Sequence, residues 1–162
     1  MIVKTYCAAV NGLEITKVTV ETSLTNGQSL TLTGLGDEAV RESLARIRTS
    51  MIHTGYKFPN RAITINLSPA NKKKEGSSYD LPISIAILAA NEVLIPTSAG
   101  PTSSSPLNDY MFLGELGLDG SLKPIVGALP IALIAKKEKF KGIILPNTCS
   151  LRAPIIAHAD SC

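Results

Sequence analysis

The sequence predicts an α/β or α+β fold, because strand-like and helix-like segments follow one another along most of the chain. Residues 29–33 alternate polar and apolar side chains, which is typical of a strand with one buried face. In residues 37–55, apolar side chains recur every three or four positions, which is typical of an amphipathic helix. Residues 83–90 are apolar almost all round, which predicts a buried helix between other layers.

Four strands are predicted in the first 70 residues. Residues 2–10 and 15–22 are β-compatible and flank an Asn-Gly turn, which predicts a hairpin. Residues 29–33 form the third strand. Residues 63–67 alternate in the same way and form the fourth, which a Ser-Pro pair ends.

Three helices are predicted. Asp37 suits the N-cap of the first, and Gly55 is a plausible end. Asp80 resembles the cap of the second helix, with Pro82 in its first turn. The third runs over residues 128–138, with lysines near its C-terminus that favour the helix dipole.

The rest of the second half is predicted to be strands and loops. Residues 110–113 read as a strand, and Asp-Gly at 119–120 predicts a hairpin turn into residues 122–124. Residues 142–146 predict a short buried strand. Residues 95–108 are rich in Pro, Ser and Thr, which predicts a mobile surface loop.

Composition limits the function classes. A chain of 162 residues fits one domain, and seven aromatic residues with no Trp disfavour stacking of single-stranded bases or sugars. Three cysteines without C-x-x-C spacing and two histidines give no expectation of a disulfide framework or a metal site. With neither a membrane-length apolar stretch nor a signal-peptide pattern, we expect a cytoplasmic protein without a membrane partner.

The net charge of +3 is unevenly distributed. Residues 41–74 hold eight Lys or Arg and one acid, a charge of +7, which leaves −4 for the remainder. Such a surface suits phosphates or an acidic neighbouring domain, although a solvated face without a partner is the ordinary alternative. The candidate contact residues for nucleic acid or a protein partner are Arg41, Arg48, Arg61, Lys72, Lys73 and Lys74.

Residues 34–39 match the dinucleotide-binding pattern G-x-G-x-x-A between a strand and a helix. The pattern also requires an acidic residue about 20 positions later, and none lies between Glu42 and Glu75. A glycine turn into a helix is therefore preferred, and nucleotide binding is a weaker alternative. The chain has no Gly-Lys pair and thus no Walker phosphate loop, so we do not expect this chain to hydrolyse ATP.

Ser77 and Ser78 follow a glycine and precede a helix, where a hydroxyl could lie near helical N–H groups that stabilise an oxyanion. A catalytic serine needs a base within hydrogen-bond reach, and neither His53 nor His158 is an evident partner. Capping of the helix is the preferred role for these hydroxyls.

Four separated segments together resemble one family. They are residues 34–43 (GLGDEAVRES), 66–70 (NLSPA), 74–83 (KEGSSYDLPI) and 113–122 (LGELGLDGSL). In this order they resemble the N-terminal domain of Mg-chelatase-like AAA+ proteins of the competence ComM/YifB type. The resemblance covers residues 1–146 and implies a domain similar to the Lon protease domain, with the ribosomal protein S5 domain 2-like fold and helices on one side of a sheet. Residues 147–162 depart from the family pattern and read as an irregular or truncated tail.

The likeness to Lon bears on Ser78. Residues 74–78 are similar to the Lys-Asp-Gly-Pro-Ser segment of Lon, which places the nucleophile at Ser78. Where Lon has its general-base lysine, this chain has Leu129 or Pro130, and neither accepts a proton from serine. The resemblance therefore implies no catalytic residue and an incomplete Ser-Lys dyad. A residual Lon-like serine peptidase at Ser78 is the alternative.

The resemblance also implies a context. Family proteins carry an AAA+ motor after this domain, and competence-type members act on DNA in branch migration. We therefore expect a non-catalytic accessory domain that contacts the motor, neighbouring subunits, DNA or further copies of itself. ATP and Mg²⁺ are expected only for the motor, so no cofactor is expected in this chain.

Overall fold

A computed structural model describes residues 2–12, 14–34, 36–94 and 105–147 of the chain. Strand β1 (Ile2–Asn11) pairs antiparallel with β2 (Glu14–Thr25). The register runs from Ile2 opposite Ser23 to Asn11 opposite Glu14. The predicted hairpin is therefore confirmed, and both strands are longer than their patterns indicated.

The hairpin lies inside a mixed sheet of six strands, in the order β3-β4-β2-β1-β5-β8. Strand β4 pairs antiparallel with β2 and parallel with β3, while β5 is parallel to both β1 and β8. The predicted Asp-Gly turn joins β6 and β7 as a separate hairpin, whereas the strand predicted at residues 110–113 belongs to the six-stranded sheet as β5. The remaining bounds are β3 Leu30–Thr33, β4 Ala62–Ser68, β5 Tyr110–Phe112, β6 Glu115–Leu116, β7 Leu122–Lys123 and β8 Gly142–Ile144.

Three helices accompany the strands, so the predicted α/β class is confirmed. They are α1 Glu38–His53, α2 Asp80–Ala90 and α3 Ala128–Lys137. The carboxylate of Asp37 accepts the N–H of Val40 at 2.9 Å, which confirms the predicted N-cap of α1. Every residue of α2 except Ile85 is buried, as its uniformly apolar sequence predicted.

Helices α1 and α2 pack beside each other, and α2 lies against β1 and β2. Thr5 Oγ1 donates to the carbonyl of Pro82 at 2.9 Å, so the face of β1 that holds Thr5 meets α2. Neighbouring side chains of a strand point to opposite faces. Tyr6 therefore lies on the other face, where its ring is 5.3 Å from that of Phe140, just after α3. The expected placement of helices on one side describes α1 and α2, whereas Phe140, just after α3, contacts the opposite face.

The final strand differs from its prediction, and the predicted loop and tail lie mostly outside the described residues. Strand β8 is an edge strand in which Ile144 is 42% exposed, so the strand exists but is not buried as predicted. Of the predicted mobile loop, residues 95–104 lie outside the described residues, and Pro106–Asp109 forms a turn of 3-10 helix. The predicted tail lies outside them from residue 148 onward. Within the described ranges, no helix is long and apolar enough to cross a membrane.

Candidate functional site

The segment at residues 73–78, which leads into α2, is fixed by contacts with distant parts of the chain. Asn11 Nδ2 donates to the carbonyl of Lys73 at 3.3 Å. The N–H of Asp37 donates to the carbonyl of Lys74 at 3.1 Å, and the Asp37 carboxylate accepts the N–H of Gly76 at 3.3 Å. Asp37 thus caps α1 and holds the entry to α2, so the two helix N-termini have a fixed relationship.

Lys74 is the centre of these contacts, and its side chain is fully buried. Its Nζ donates to the carbonyl of Gly34 at 2.7 Å and to the carbonyl of Pro69, which follows a cis peptide bond. Burial lowers the pKa of this amine. The prediction that Lys74 belongs to a basic contact surface is wrong, because a fully buried ammonium cannot reach an external phosphate.

The two serines have different surroundings, and neither caps α2. The residue before the helix is Tyr79, and no side chain caps it. Ser77 Oγ donates to the carboxylate of Glu115, and the carbonyl of Ser78 accepts the N–H of Gly114 at 3.0 Å. The preferred capping role of these hydroxyls is therefore wrong, because Ser77 is held by a carboxylate from β6.

Ser77 and Ser78 line a cleft of about 340 Å³. Its apolar lining comes from β1, the segment after β7 and α3, and its acidic groups are Glu75 and Glu115. Within the described part of the chain, no lysine lines this cleft. Pro130 and Leu129 both lie in α3, and the buried amine of Lys74 is bound to two carbonyls. Among the described residues that line the cleft, none is a lysine that could act as the base for Ser78.

Asp80 is not a cap but the first residue of α2, and its side chain is completely buried. Arg46 of α1 donates to both of its carboxylate oxygens, at 2.9 Å and 3.2 Å, and the N–H of Leu116 donates to one of them at 3.1 Å. Burial raises the pKa of Asp80, and Arg46 opposes this effect. The hydrogen bond to Asp80 raises the pKa of Arg46. Arg46 loses less hydration than Asp80, because about a quarter of the Arg46 side chain remains exposed. This pair locks α1, α2 and β6 together.

The G-x-G loop is occupied by the protein itself. Gly34 has a φ of +98°, and a Cβ built on it would lie 2.0 Å from the carbonyl oxygen of Leu67. Gly36 forms a parallel bridge with Lys74, whose side chain also binds the Gly34 carbonyl. These glycines allow close backbone approach within the fold. The contacts of Gly34 and Gly36, the two described glycines of the loop, favour this packing role over nucleotide binding.

The predicted basic residues divide by their partners. Lys72 Nζ is 2.6 Å from Glu14, and Lys73 Nζ is 2.6 Å from Glu75, so both charges are balanced locally. Arg41, Arg48 and Arg61 are exposed and make no ion pair within the described ranges. Of the six predicted contact residues, three arginines therefore remain without an ion pair among the described residues.

Arg48 and Arg61 come together. The guanidinium of Arg48 lies 5.3 Å from the centre of the Phe58 ring, and Arg61 donates to the carbonyl of Leu24 at 3.3 Å. Both line a second cleft of about 430 Å³ beside the start of β3. Arg41 lies two helical turns before Arg48, roughly 10 Å along the same side of α1. The cation–π contact and the backbone hydrogen bond orient the two cleft guanidiniums.

Among the described residues, no group of three or more His, Cys, Asp or Glu could hold a metal ion. Cys7 is buried and free, and burial raises the pKa of its thiol, so this sulfur is a poor ligand and nucleophile.

The family of the Mg-chelatase subunit ChlI matches residues 20–149, which is well over half of the chain. The chain belongs to the ChlI family. ChlI-family relatives include the competence protein ComM of Haemophilus influenzae, 39% identical over 140 residues, and YifB of Escherichia coli, 40% identical over 134 residues. These alignments cover 86% and 82% of this chain. A Mycobacterium bovis protein is 33% identical over 97% of the chain.

This ChlI-family chain spans only a part of the length of its relatives. It covers 25% of the length of YifB, 26% of the length of ComM and 30% of the length of the mycobacterial protein. The resemblance to Mg-chelatase-like proteins of the ComM/YifB type is therefore confirmed for this part of their length.

Sequence reasoning missed Arg46, Glu115 and the true role of Asp80. Arg46 could have been found, because it lies three residues after Ser43 and four before Ser50, on the buried side of α1. Glu115 lies in the segment 113–122 that carries part of the family resemblance, but no local pattern shows its contact with Ser77.

Proposed function

We propose that this chain is a non-catalytic accessory domain of a Mg-chelatase-like AAA+ protein, which contacts DNA phosphates through Arg41, Arg48 and Arg61. The observation that carries the proposal is the lack of a carboxylate partner for these three exposed arginines within the described ranges. Lys72 and Lys73 are balanced by Glu14 and Glu75, and Lys74 is buried, whereas these three arginines and Lys57 are exposed and make no ion pair within the described ranges.

Phosphate contact is the chemistry that such groups perform best. A guanidinium presents paired N–H donors that match phosphate oxygens, and binding releases the counterions condensed on the nucleic acid. Arg41 and Arg48 lie on one side of α1, so the phosphate backbone of one DNA strand could contact both arginines. The name of the ComM relative refers to competence, and a role in DNA uptake or processing agrees with this surface.

The non-catalytic part of the proposal has two supports. No lysine lines the cleft at Ser78 within the described residues, so a Ser-Lys peptidase lacks its base there. The Gly34 carbonyl accepts the Lys74 amine and Gly36 forms a bridge with Lys74, so both glycines make contacts inside the fold, which supports a packing role over nucleotide binding.

The wider context is also proposed. We place the domain in the cytoplasm beside an AAA+ motor, which would supply ATP and Mg²⁺ chemistry, and beside further copies of the same protein. In this arrangement the domain positions DNA for the motor and performs no reaction itself. A protein contact through the same arginines is the competing role.

Fluorescence anisotropy with labelled duplex and branched DNA tests the proposal. We expect binding whose affinity falls steeply as salt increases, because the contacts are to phosphates. Absence of salt-sensitive binding by the domain, together with normal binding by the motor-containing protein, would remove the DNA role. A pull-down with the motor then tests the protein-contact role.

A further inference from the structure

The cleft beside β3 combines positive charge with amide side chains and an apolar floor. Arg48 and Arg61 line it, together with Gln28 and Asn60, whose side chains are linked by a hydrogen bond of 3.2 Å. Its remaining lining residues are Ser29, Leu30, Phe58, Pro59 and Ile63. No carboxylate belongs to this lining within the described residues.

Two guanidiniums in one cleft repel each other unless an anion lies between them. Each already has one fixed contact, Arg48 over the Phe58 ring and Arg61 on the Leu24 carbonyl. These contacts use few of the donors, because a guanidinium has five N–H groups. The free donors are held in place at little further cost in side-chain entropy, which is the condition for tight anion binding.

We propose that this cleft binds a phosphate group between Arg48 and Arg61, with an amide N–H of Asn60 or Gln28 as an additional donor. The volume of about 430 Å³ exceeds a bare phosphate and leaves room for the sugar of a phosphodiester. The inference rests on the proposed function, because the two arginines belong to the surface assigned to DNA.

The phosphate could come from a nucleic-acid backbone or from a free phosphate compound, and the experiment separates these sources. The full chain is titrated with inorganic phosphate, and binding is monitored by the NMR signals of the Arg side-chain N–H groups. It is also titrated against a labelled 12-nucleotide single strand of DNA and a labelled duplex, and binding is monitored by fluorescence anisotropy. The variants are Arg48→Gln/Arg61→Gln and, as a control with the same loss of charge, Lys136→Gln/Lys137→Gln, at exposed positions of α3.

We expect the arginine variant to bind DNA about tenfold more weakly than the lysine control, and to lose the inorganic phosphate shifts. Thermal melting of both variants checks that the fold is retained. If the wild-type chain binds inorganic phosphate through these arginines but does not bind DNA, the phosphate site is supported and its ligand is a free phosphate compound. The proposed DNA role then fails.

Two results would overturn the site itself. In the first, DNA binds the wild-type chain but the arginine variant is no weaker than the lysine control, so the DNA role survives without this cleft. In the second, an added titration with poly-glutamate shifts the signals of the two arginines while neither inorganic phosphate nor DNA does, which favours an acidic protein surface as the partner.

Discussion

Arg46 and Asp80 form a two-point ion pair between α1 and the first residue of α2, with N···O distances of 2.9 Å and 3.2 Å. The carboxylate is completely buried and also accepts the N–H of Leu116. Three elements therefore meet at one charge. Because the segment that carries Ser77 and Ser78 ends at this point, the pair also fixes the wall of the serine cleft.

Replacing Arg46 by Leu leaves a buried carboxylate without its counterion. We expect a loss of about 3 kcal/mol in the free energy of unfolding, measured by urea denaturation. Arg41→Leu removes an exposed, unpaired arginine from the same helix and should change stability by less than about 0.5 kcal/mol. Adding Asp80→Asn to Arg46→Leu should recover part of the loss, because the uncompensated charge disappears. Equal stability of the two arginine variants would contradict the role of the pair.

Lys74→Met removes the donor that satisfies the carbonyls of Gly34 and Pro69, so we expect a loss of about 2–4 kcal/mol. The pKa of Lys74 is lowered from its ordinary value of 10.5, so the unfolded chain holds the proton at pH values where the folded chain has lost it. The contribution of Lys74 to stability therefore increases as the pH rises from the folded pKa towards 10.5.

Urea denaturation of the wild-type and Lys74→Met chains at pH 7.5 and pH 10 measures this effect. The stability difference between them should be larger at the higher pH. A difference that stays constant or shrinks would show that burial does not disfavour the charged amine.

Gly34→Ala tests whether the G-x-G loop exists for close packing. The added Cβ would meet the Leu67 backbone at 2.0 Å and would also sit at a positive φ, so we expect a loss of more than about 2 kcal/mol. Gly12→Ala is the control, because Gly12 has a φ of +61° but open space around it. Its loss should be about 1 kcal/mol, from the backbone conformation alone. Similar losses at both positions would contradict the packing role.

The chain should not cleave casein, because no lysine lines the cleft at Ser78 within the described residues. The measurement compares release of labelled fragments by the wild-type chain and by Ser78→Ala, which should be indistinguishable. Cleavage by the wild-type chain that Ser78→Ala abolishes would establish the peptidase and overturn the non-catalytic account.

The elements that sequence predicted are those determined by local chemistry. Asp37 is a good cap at its position whatever surrounds it, and the Asn-Gly turn allows the hairpin. Asp80 has an equally cap-like neighbourhood, but its partner Arg46 lies 34 residues away, so tertiary contact decided its role. A local sequence pattern cannot show a contact between residues that lie so far apart in the chain.

The basic surface shows the same limit more clearly. Lys72, Lys73 and Lys74 are consecutive and chemically identical, yet two pair with surface carboxylates and the third is buried. The carbonyl of Gly34 that receives Lys74 lies 40 residues earlier, and no periodicity in a polar loop indicates it. The exposed arginines Arg48 and Arg61 were predicted as contacts, but their shared cleft was not.

The salt dependence of DNA binding shows whether Arg41, Arg48 and Arg61 contact DNA phosphates. The slope of log K against log salt concentration is measured for the wild-type chain, for Arg41→Gln/Arg48→Gln/Arg61→Gln, and for Lys136→Gln/Lys137→Gln/Lys139→Gln as the charge-matched control. We predict that the arginine variant loses about 2–3 units of slope on duplex DNA, roughly 0.9 for each phosphate contact removed, while the lysine control stays close to wild type. Equal slopes for the two variants would contradict the account.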